Sequence, residues 1–307
     1  ERKGISRREF IKYCTFLTAT MGLSSSFVPR VMEVFAAPKQ RPPVVWLQGQ
    51  GCTGCSVSLL NSIYYMTIDQ LLLNTIDLEF HATVMAGAGD LAVSAAEDAC
   101  ANEGYVLVVE GAIPTAKGGE YCYLWPGMTA LKAVKTFSKN AAFILAVGTC
   151  AAYGGLIAGA PNPTGAVGVW EVVRQRQVIN IPGCPTHPDW IVGTIAHLLA
   201  YGKTPDLDQY SRPKNFYQRT VHSQCPNKQN FHDRAIFAQK LSDEGCLSKL
   251  GCKGMWTGAD CPIRKWNSGT TGVYGVNWCI GGMNPCQGCT EPGFPDSLSP
   301  WYTLEHS

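Results

Sequence analysis

The stretch VVWLQGQGCTGCS, residues 44–56, places a glycine-rich turn and a Cys-x-x-Cys pair directly after a short apolar run. A run of this length, rich in β-branched and aromatic residues and followed by glycines, is typical of a buried strand. The turn would therefore carry Cys52 and Cys55 to the carboxyl end of that strand. The segments that follow decide which kind of sheet the strand belongs to.

Similar apolar runs recur as far as about residue 205, with helical stretches between them. The predicted strands are Val44–Leu47, Leu78–Phe80, Val106–Val109, Phe143–Val147 and Val178–Ile181. The predicted helices are Ser56–Tyr65, Leu91–Ala101, Met128–Ser138 and Ile191–Ala200. Continuous apolar strands that alternate with helices indicate an α/β domain with a doubly wound parallel sheet.

After Pro213 the sequence becomes irregular, and only Phe231–Leu241 is predicted to form a helix. Glycine, proline, asparagine and cysteine dominate this part of the chain, so it buries too little apolar surface to become ordered alone. Its seven cysteines and one histidine that precedes them suggest that metal ligation holds it together.

The composition excludes several classes of protein. The chain has 307 residues, enough for about two domains. Its 14 cysteines are far more than a chain of this length ordinarily has. The chain is also too long to be a small scaffold held together by disulfides. Beyond residue 37, 19 basic residues face 20 acidic ones, so there is no basic excess to attract nucleic acid.

The first 37 residues resemble an export signal. Ser6–Lys12, SRREFIK, has the twin-arginine pattern, and the apolar run Tyr13–Leu23 and the small residues Ala36 and Ala37 follow it. This route exports folded proteins, so we expect a periplasmic protein whose cofactor is inserted before export. No other segment has the ~20 apolar residues of a membrane helix, and none is expected after the signal is removed.

Four cysteines each follow the carboxyl end of a predicted strand: Cys52, Cys55, Cys150 and Cys184. In a parallel sheet these ends meet at one edge, where ligands bind. Four thiolates that converge there suit a [4Fe–4S] cluster, although a structural zinc ion or two disulfides are alternatives.

Residues 49–54, GQGCTG, also match the G-x-G-x-x-G fingerprint of dinucleotide-binding proteins, and Glu79 ends a later strand. This alternative is weakened because Cys52 and Cys55 lie inside and beside the turn. The glycines are better explained as giving close backbone approach to inorganic sulfide.

Eight further donors lie in the irregular part of the chain. They are His222, Cys225, Cys246 and Cys252, followed by Cys261, Cys279, Cys286 and Cys289. With the first four cysteines they make twelve donors, which is three sets of four. Cys14 would leave with the signal, and Cys100 and Cys122 are interpreted as ordinary thiols.

Six ordered motifs resemble the small subunit of nickel–iron hydrogenases over nearly the whole chain. They are Gly51–Ser56, Gly148–Ala151, Asn162–Gly165, Ile181–Pro185, Gly251–Gly254 and Cys286–Pro292. The resemblance implies a flavodoxin-like domain over residues 38–208 and an irregular, cluster-stabilised C-terminal domain over residues 209–307.

The resemblance also implies three clusters. Cys52, Cys55, Cys150 and Cys184 would hold a proximal [4Fe–4S] cluster, and His222, Cys225, Cys246 and Cys252 a distal one. The middle cluster would use Cys261, Cys286 and Cys289. Cys279 stands where many relatives have proline, which resembles the nickel–iron–selenium branch with its [4Fe–4S] middle cluster; without Cys279 the cluster would be [3Fe–4S]. Gly54 and Gly155 stand where oxygen-tolerant relatives have extra cysteines, so an ordinary proximal cluster is expected.

A small subunit of this family has no catalytic residue for hydrogen. It relays electrons between the Ni–Fe(–Se) site of the large subunit and an external acceptor, here expected to be a periplasmic multihaem cytochrome c. Two other hypotheses remain: a dinucleotide-dependent oxidoreductase, and an exported binding protein stabilised by zinc or disulfides.

Overall fold

A five-stranded parallel sheet forms the centre of the molecule. The computed structural model describes residues 7–20, 24–29, 31–32, 41–270 and 272–295. The strands are β1 Pro43–Gln48, β2 Asp77–His81, β3 Val106–Glu110, β4 Phe143–Val147 and β5 Val178–Ile181. Their spatial order, β2-β1-β3-β4-β5, is the flavodoxin-like order of a doubly wound sheet. The predicted strands and the predicted fold class are confirmed.

The other elements surround this sheet or follow it. The helices are α1 Arg7–Thr20, α2 Gly54–Leu60, α3 Ile68–Gln70, α4 Gly89–Ala101, α5 Ala130–Phe137, α6 Thr149–Tyr153, α7 Val169–Val172, α8 Pro188–Tyr201, α9 Lys214–Tyr217, α10 Val221–Gln224, α11 Lys228–His232 and α12 Cys261–Arg264. Short 3-10 turns are Ser25–Phe27, Ala116–Gly119, Gly155–Ala158, Leu247–Leu250 and Ile280–Gly282, and Leu71–Thr75 is a π-helical turn. Two small antiparallel pairs join Ile113–Pro114 to Ala166–Val167 and Tyr123–Trp125 to Met128–Thr129.

The sheet separates two apolar cores because side chains alternate between its faces. Val44 and Trp46 of β1 belong to one core, and Val45 and Leu47 belong to the other. Helix α8 is buried along almost its whole length in the first core, and α4 and α5 cover the second. Pro188 in the first turn of α8 and Gly202 in the left-handed region after it set the limits of this helix.

Three predicted helices correspond to α4, α5 and α8, and the helix predicted at Ser56–Tyr65 is shorter. Helix α2 ends at Leu60, and Asn61 caps it through its backbone N–H to Ser58. Tyr64 and Tyr65, which completed the apolar periodicity, instead turn into the core as fully buried residues.

The helix predicted at Phe231–Leu241 is wrong. Helix α11 ends at His232, and Arg234 has a φ of 52°, which ends any helix. The next residues run alongside Cys246: Cys246 N donates to Ile236 O at 2.9 Å, and Ala238 N donates to Cys246 O at 3.1 Å. The apolar residues of this segment therefore pack against the loop that carries Cys246 and do not form a helix.

The C-terminal part of the chain shares the core on the α8 face of the sheet. Cys225, Leu247, Trp278, Ile280 and Cys286 are buried in the same core as Trp46 and Ile191. The predicted division at residues 208 and 209 falls in the loop between α8 and α9 and stays a prediction.

The predicted signal peptide is only partly described. Arg7–Thr20 forms α1, where Cys14 is buried, whereas Ala36 and Ala37 lie outside the described residues. None of the helices in the described part of the chain is both long enough and apolar enough to cross a lipid bilayer.

Candidate metal centres

The glycine turn after β1 packs against the chain's own backbone. Gln50 N donates to Ala112 O at 2.9 Å, and Ala112 N donates back to Gln50 O at 2.7 Å. A Cβ on Gly49 would lie 2.5 Å from Ala112 O, so only glycine fits there. These contacts hold Cys52 and Cys55 at the junction of β1 and β3, the topological switch point of this sheet order.

A buried carboxylate occupies the N-terminus of α2. Glu110, at the end of β3 and 4% exposed, accepts hydrogen bonds from Cys55 N at 3.0 Å and Ser56 N at 3.1 Å. It also accepts from Trp46 Nε1 at 3.0 Å and from the Ser56 hydroxyl. In dinucleotide-binding proteins the pyrophosphate takes these amides, so the fingerprint at residues 49–54 has no place for it.

Four of the predicted ligands come together at this edge, and we call them the sheet-edge group: Cys52, Cys55, Cys150 and Cys184. Burial raises the pKa of Cys184 to about 11, and the neighbouring Cys150 and Cys52 contribute to this rise. Burial, followed by Glu110 and then by Cys150 and Cys184, also raises the pKa of Cys55. These thiols are stable as thiolates only when a cation joins them.

Glycines line the space around these sulfur atoms. A Cβ on Gly148 would lie 2.5 Å from Cys55 Sγ, and one on Gly155 would lie 3.0 Å from Cys150 Sγ. Gly148 has a φ of 88° and Gly155 a φ of 51°, so both positions also favour glycine through their backbone. The donor chemistry and this cradle therefore fit an inorganic group that fills the space between the four thiols.

The alternatives of zinc and disulfides find no support. All 14 cysteines belong to the described part of the chain, and each is a free thiol. Across residues 41–270 and 272–295, no three His, Cys, Asp or Glu side chains are arranged to hold one metal ion. Thiolates of an iron–sulfur cluster each bind a different iron, so they stand further apart than four ligands of one zinc ion.

A second set, the central group, contains Cys261, Cys279, Cys286 and Cys289. Burial raises the pKa of Cys261 well above its ordinary value, and Cys289, Asp260, Cys286 and Cys279 add to this effect. Burial also raises the pKa of Cys289 to about 12, and Cys279 contributes to that rise. Cys279 is the exposed member of the group, and it lies close enough to Cys261 and Cys289 to raise the pKa of both thiols.

The third set, the histidine group, contains His222, Cys225, Cys246 and Cys252. Burial, with Cys246 and Cys225 as further causes, raises the pKa of Cys252. Gly254 joins His222 to this group: His222 N donates to Gly254 O at 2.9 Å, and a Cβ on Gly254 would lie 3.5 Å from Cys252 Sγ. The His222 side chain is partly exposed, at the outer side of the group.

Hydrogen bonds connect the three groups in series. The hydroxyl of Thr149, which precedes Cys150 of the sheet-edge group, donates to Cys289 O in the central group. Cys286 N, in the central group, donates to Cys252 Sγ in the histidine group at 3.4 Å. Each junction thus joins neighbouring groups through a predicted ligand or the residue beside one.

Two buried arginines fasten the C-terminal part of the chain to the sheet domain. Arg264 Nη1 lies 3.1 Å from Asp189 Oδ2 in α8, and its Nη2 lies 2.7 Å from Asp260 Oδ2. Arg212 Nη1 lies 2.7 Å from Glu291 Oε1 and also donates to Thr290 O at 3.0 Å. Arg264 lies three positions after Cys261 of the central group. Glu291, the partner of Arg212, lies two positions after Cys289 of the same group.

Glu110, Arg212 and Arg264 were not among the functional residues predicted from the sequence. Glu110 carried a usable signal, since it is a carboxylate that ends the otherwise apolar run VLVVE before Gly111. The arginines carried none, because their partners are distant in sequence.

Both the sheet domain and the C-terminal part of the chain are similar to known proteins. Residues 52–198 match the family described as NADH ubiquinone oxidoreductase, 20 Kd subunit, and residues 217–302 match the family that describes the C-terminal part of the NiFe/NiFeSe hydrogenase small subunit. The periplasmic NiFeSe hydrogenase small subunit of Desulfomicrobium baculatum is 39% identical over 98% of this chain and 99% of its own. The periplasmic NiFe hydrogenase small subunit 1 of Nitratidesulfovibrio vulgaris is 40% identical over 98% of this chain and 94% of its own. The recombinant NiFeSe hydrogenase structure from Desulfovibrio vulgaris Hildenborough superposes with a TM-score of 0.78 at 43% identity, covering 86% of this chain and 98% of that one.

Proposed function

Because this chain belongs to the family of nickel–iron hydrogenase small subunits, we propose that it carries electrons through three iron–sulfur clusters held by the sheet-edge, central and histidine groups. The small subunit of such an oxidoreductase acts with a large subunit that holds the active site for hydrogen. Its own residues then bind, insulate and align the carriers. Clusters bound there would supply one-electron acceptors in series.

The observation that carries this proposal is the serial connection of the three groups. The two junction hydrogen bonds, Thr149 Oγ1 to Cys289 O and Cys286 N to Cys252 Sγ, leave no group isolated from its neighbour. A structural role alone would not require the groups to follow one another. The proposed order is proximal at the sheet-edge group, middle at the central group and distal at the histidine group.

The surface beside the sheet-edge group suits the large subunit. Val57 and Leu60 follow Cys55 on α2 and are 54% and 43% exposed, and Leu156 follows Cys150 and is 40% exposed. Exposed apolar side chains next to buried thiols are typical of an obligate interface. We expect Val57→Asp to release the large subunit in size-exclusion chromatography. Leu91→Asp, at an exposed leucine of α4, is the matched control and should leave the complex intact.

Metal analysis of the purified complex tests the cluster assignment. The small subunit should contain about twelve iron atoms and equivalent acid-labile sulfide. Cys184→Ser should remove the spectroscopic signal of one cluster, whereas Cys122→Ser, at a thiol outside the three groups, should remove none. Iron well below this content in an intact, active complex would contradict the proposal.

The middle cluster is proposed to be [4Fe–4S], with Cys279 as its fourth ligand. Four thiolates should make it more reducing than a three-iron cluster, which would flatten the potential profile and favour hydrogen evolution as well as uptake. A three-iron cluster is paramagnetic when oxidised. The oxidised parent should therefore lack that electron paramagnetic resonance signal, and Cys279→Pro should gain it.

We further propose that the protein is exported to the periplasm by the twin-arginine route and reduces a multihaem cytochrome c there. The twin-arginine pattern at Ser6–Lys12 and the periplasmic location in the names of the relatives support this. Arg7→Lys combined with Arg8→Lys should leave the cluster-containing precursor in the cytoplasm. Periplasmic accumulation of that variant would contradict the export route.

A further inference from the structure

Two imidazole rings meet on the outer side of the histidine group. His222 in α10 and His232 at the end of α11 have their Nε2 atoms 3.4 Å apart, within hydrogen-bonding reach. Their ring centroids are 5.3 Å apart with an interplanar angle of 67°. His222 is one of the proposed distal ligands, whereas neither the sequence motifs nor the proposed function give His232 a role.

Only one nitrogen of His222 can bind iron while the other faces His232. A neutral imidazole has one N–H and one lone pair, and histidines that bind metals usually donate the remaining N–H to an outer partner. With Nε2 of His222 directed at His232, Nδ1 is the nitrogen left for the metal. The acceptor in this pair is then Nε2 of His232, whose proton lies on Nδ1.

We propose that His232 is a positioning residue for His222: it accepts the hydrogen bond from Nε2–H and so fixes which nitrogen of His222 binds the distal cluster. This inference rests on the proposed function, since it needs a cluster at His222. It adds a residue that tunes the last carrier before the external acceptor.

The surroundings support a fixed pair. The His222 backbone N donates to Gly254 O at 2.9 Å, so its main chain is anchored beside Cys252. Phe231 packs edge-to-face against His222 at 5.1 Å and against His232 at 5.7 Å. Phe231 thus contacts both rings, and the His232 contact is what selects the orientation of the His222 ring.

This contact should lower the potential of the distal cluster. An acceptor on the N–H of a ligating imidazole raises the basicity of the ligand, which stabilises the oxidised cluster. Removing the acceptor should therefore favour reduction. We expect a change of several-fold, up to about tenfold, in the one-electron equilibrium, and tenfold corresponds to about 59 mV.

Two matched variants of the holoenzyme complex separate hydrogen bonding from packing. His232→Phe keeps a ring beside Phe231 but has no acceptor, whereas His232→Gln keeps an acceptor oxygen without the ring. Redox titration followed by electron paramagnetic resonance should show a higher distal potential in His232→Phe and a near-parental one in His232→Gln. Pulsed measurements should show a changed quadrupole coupling of the remote nitrogen of His222 only in the phenylalanine variant.

Each alternative outcome has a distinct meaning. A parental potential and nitrogen coupling in His232→Phe would overturn the role of His232. Equal shifts in both variants would also overturn it, because packing alone would then explain them. The variant His222→Cys tests the underlying assignment: if it leaves the distal signal and its nitrogen coupling unchanged, the proposed ligand set itself fails.

Discussion

The sheet domain and the C-terminal part of the chain reach an ordered structure by different means. In the sheet, Val45, Leu107 and Ile144 are fully buried on neighbouring strands, and hydrophobic burial of this kind stabilises a fold without help. In the C-terminal part, the elements are single turns such as α10, α11 and α12, and buried cysteines and arginines replace much of the aliphatic core.

The comparison shows where each half of the fold is vulnerable. Helices of four or five residues are not stable alone, so their order depends on tertiary contacts. The contacts available are the proposed cluster ligands and the arginine bridges to α8 and to the loop before α9. Changes to those contacts should disorder the C-terminal part and leave the sheet intact.

The largest effect should come from removing a central-group ligand. Cys286→Ser should prevent the middle cluster from forming, and structural metal centres contribute on the order of 10 kcal/mol to small folds. Hydrogen exchange should become fast across residues 217–295 and remain slow in β1, β3 and β4. Cys100→Ser, at a thiol beside the second core, is the control. Equally fast exchange in the sheet and in the C-terminal part of Cys286→Ser would contradict the claim that the two parts are stabilised by different means.

Breaking the arginine bridge should be the next largest effect. Arg264→Met leaves Asp189 and Asp260 buried without their cation, and loss of one partner of a buried ion pair costs about 3–5 kcal/mol. The melting temperature of the C-terminal part should fall. Arg174→Met removes an exposed arginine near α7 and should change it little; a similar fall in both variants would refute the bridge.

A smaller effect is expected at the cradle of the sheet-edge group. Gly148→Ala places a Cβ against Cys55 Sγ and strains a positive φ, which together should cost about 1–3 kcal/mol. The control is Gly104→Ala, because Gly104 has a φ of 95° but open space around its Cβ position. Thermal denaturation should show the larger loss for Gly148→Ala, with weaker proximal-cluster absorption; equal losses would assign the effect to backbone strain alone.

The smallest effect concerns pH at the junction of the two halves. His187 lies beneath Trp266 and its Nε2 is 2.6 Å from Lys265 O; burial and then Arg264 lower its pKa to about 3. Its folded pKa lies below the unfolded value of about 6.5, so its stabilising contribution is present above pH 6.5 and is lost as pH falls toward 3.

The variant His187→Gln should therefore lose less stability on acidification. Between pH 7 and pH 5.5 the difference from the parent should be about 1 kcal/mol, read as a smaller drop in melting temperature. Gln175→Asn, at an exposed position that does not titrate, serves as the control. An unchanged pH dependence in His187→Gln would show that His187 takes up its proton in the folded state.

The sequence predicted the sheet well because burial on both faces leaves continuous apolar runs. Phe143–Val147 and Val178–Ile181 coincide with β4 and β5, and each predicted sheet-edge cysteine follows the carboxyl end of a strand. The grouping of the thiols was predictable for the same reason, since the topology of a parallel sheet brings those loops to one edge.

The C-terminal part was harder to predict because its order comes from long-range polar contacts. The apolar spacing of residues 231–241 resembles a helix, yet these residues pair with Cys246 instead. Arg264 forms its ion pair with Asp189, which lies 75 positions earlier in the sequence, and no local pattern predicts such a partner. Glu110 was overlooked because a charged residue at the end of a strand is ordinarily exposed.

The junction between the central and histidine groups has a consequence for how such a chain changes over evolution. The hydrogen bond from Cys286 N–H to Cys252 Sγ uses the main chain of one predicted ligand and the thiol of another. Replacing any other side chain leaves both partners of this link in place. Sequence drift can therefore alter the surroundings of the two groups without removing a partner of the bond between them.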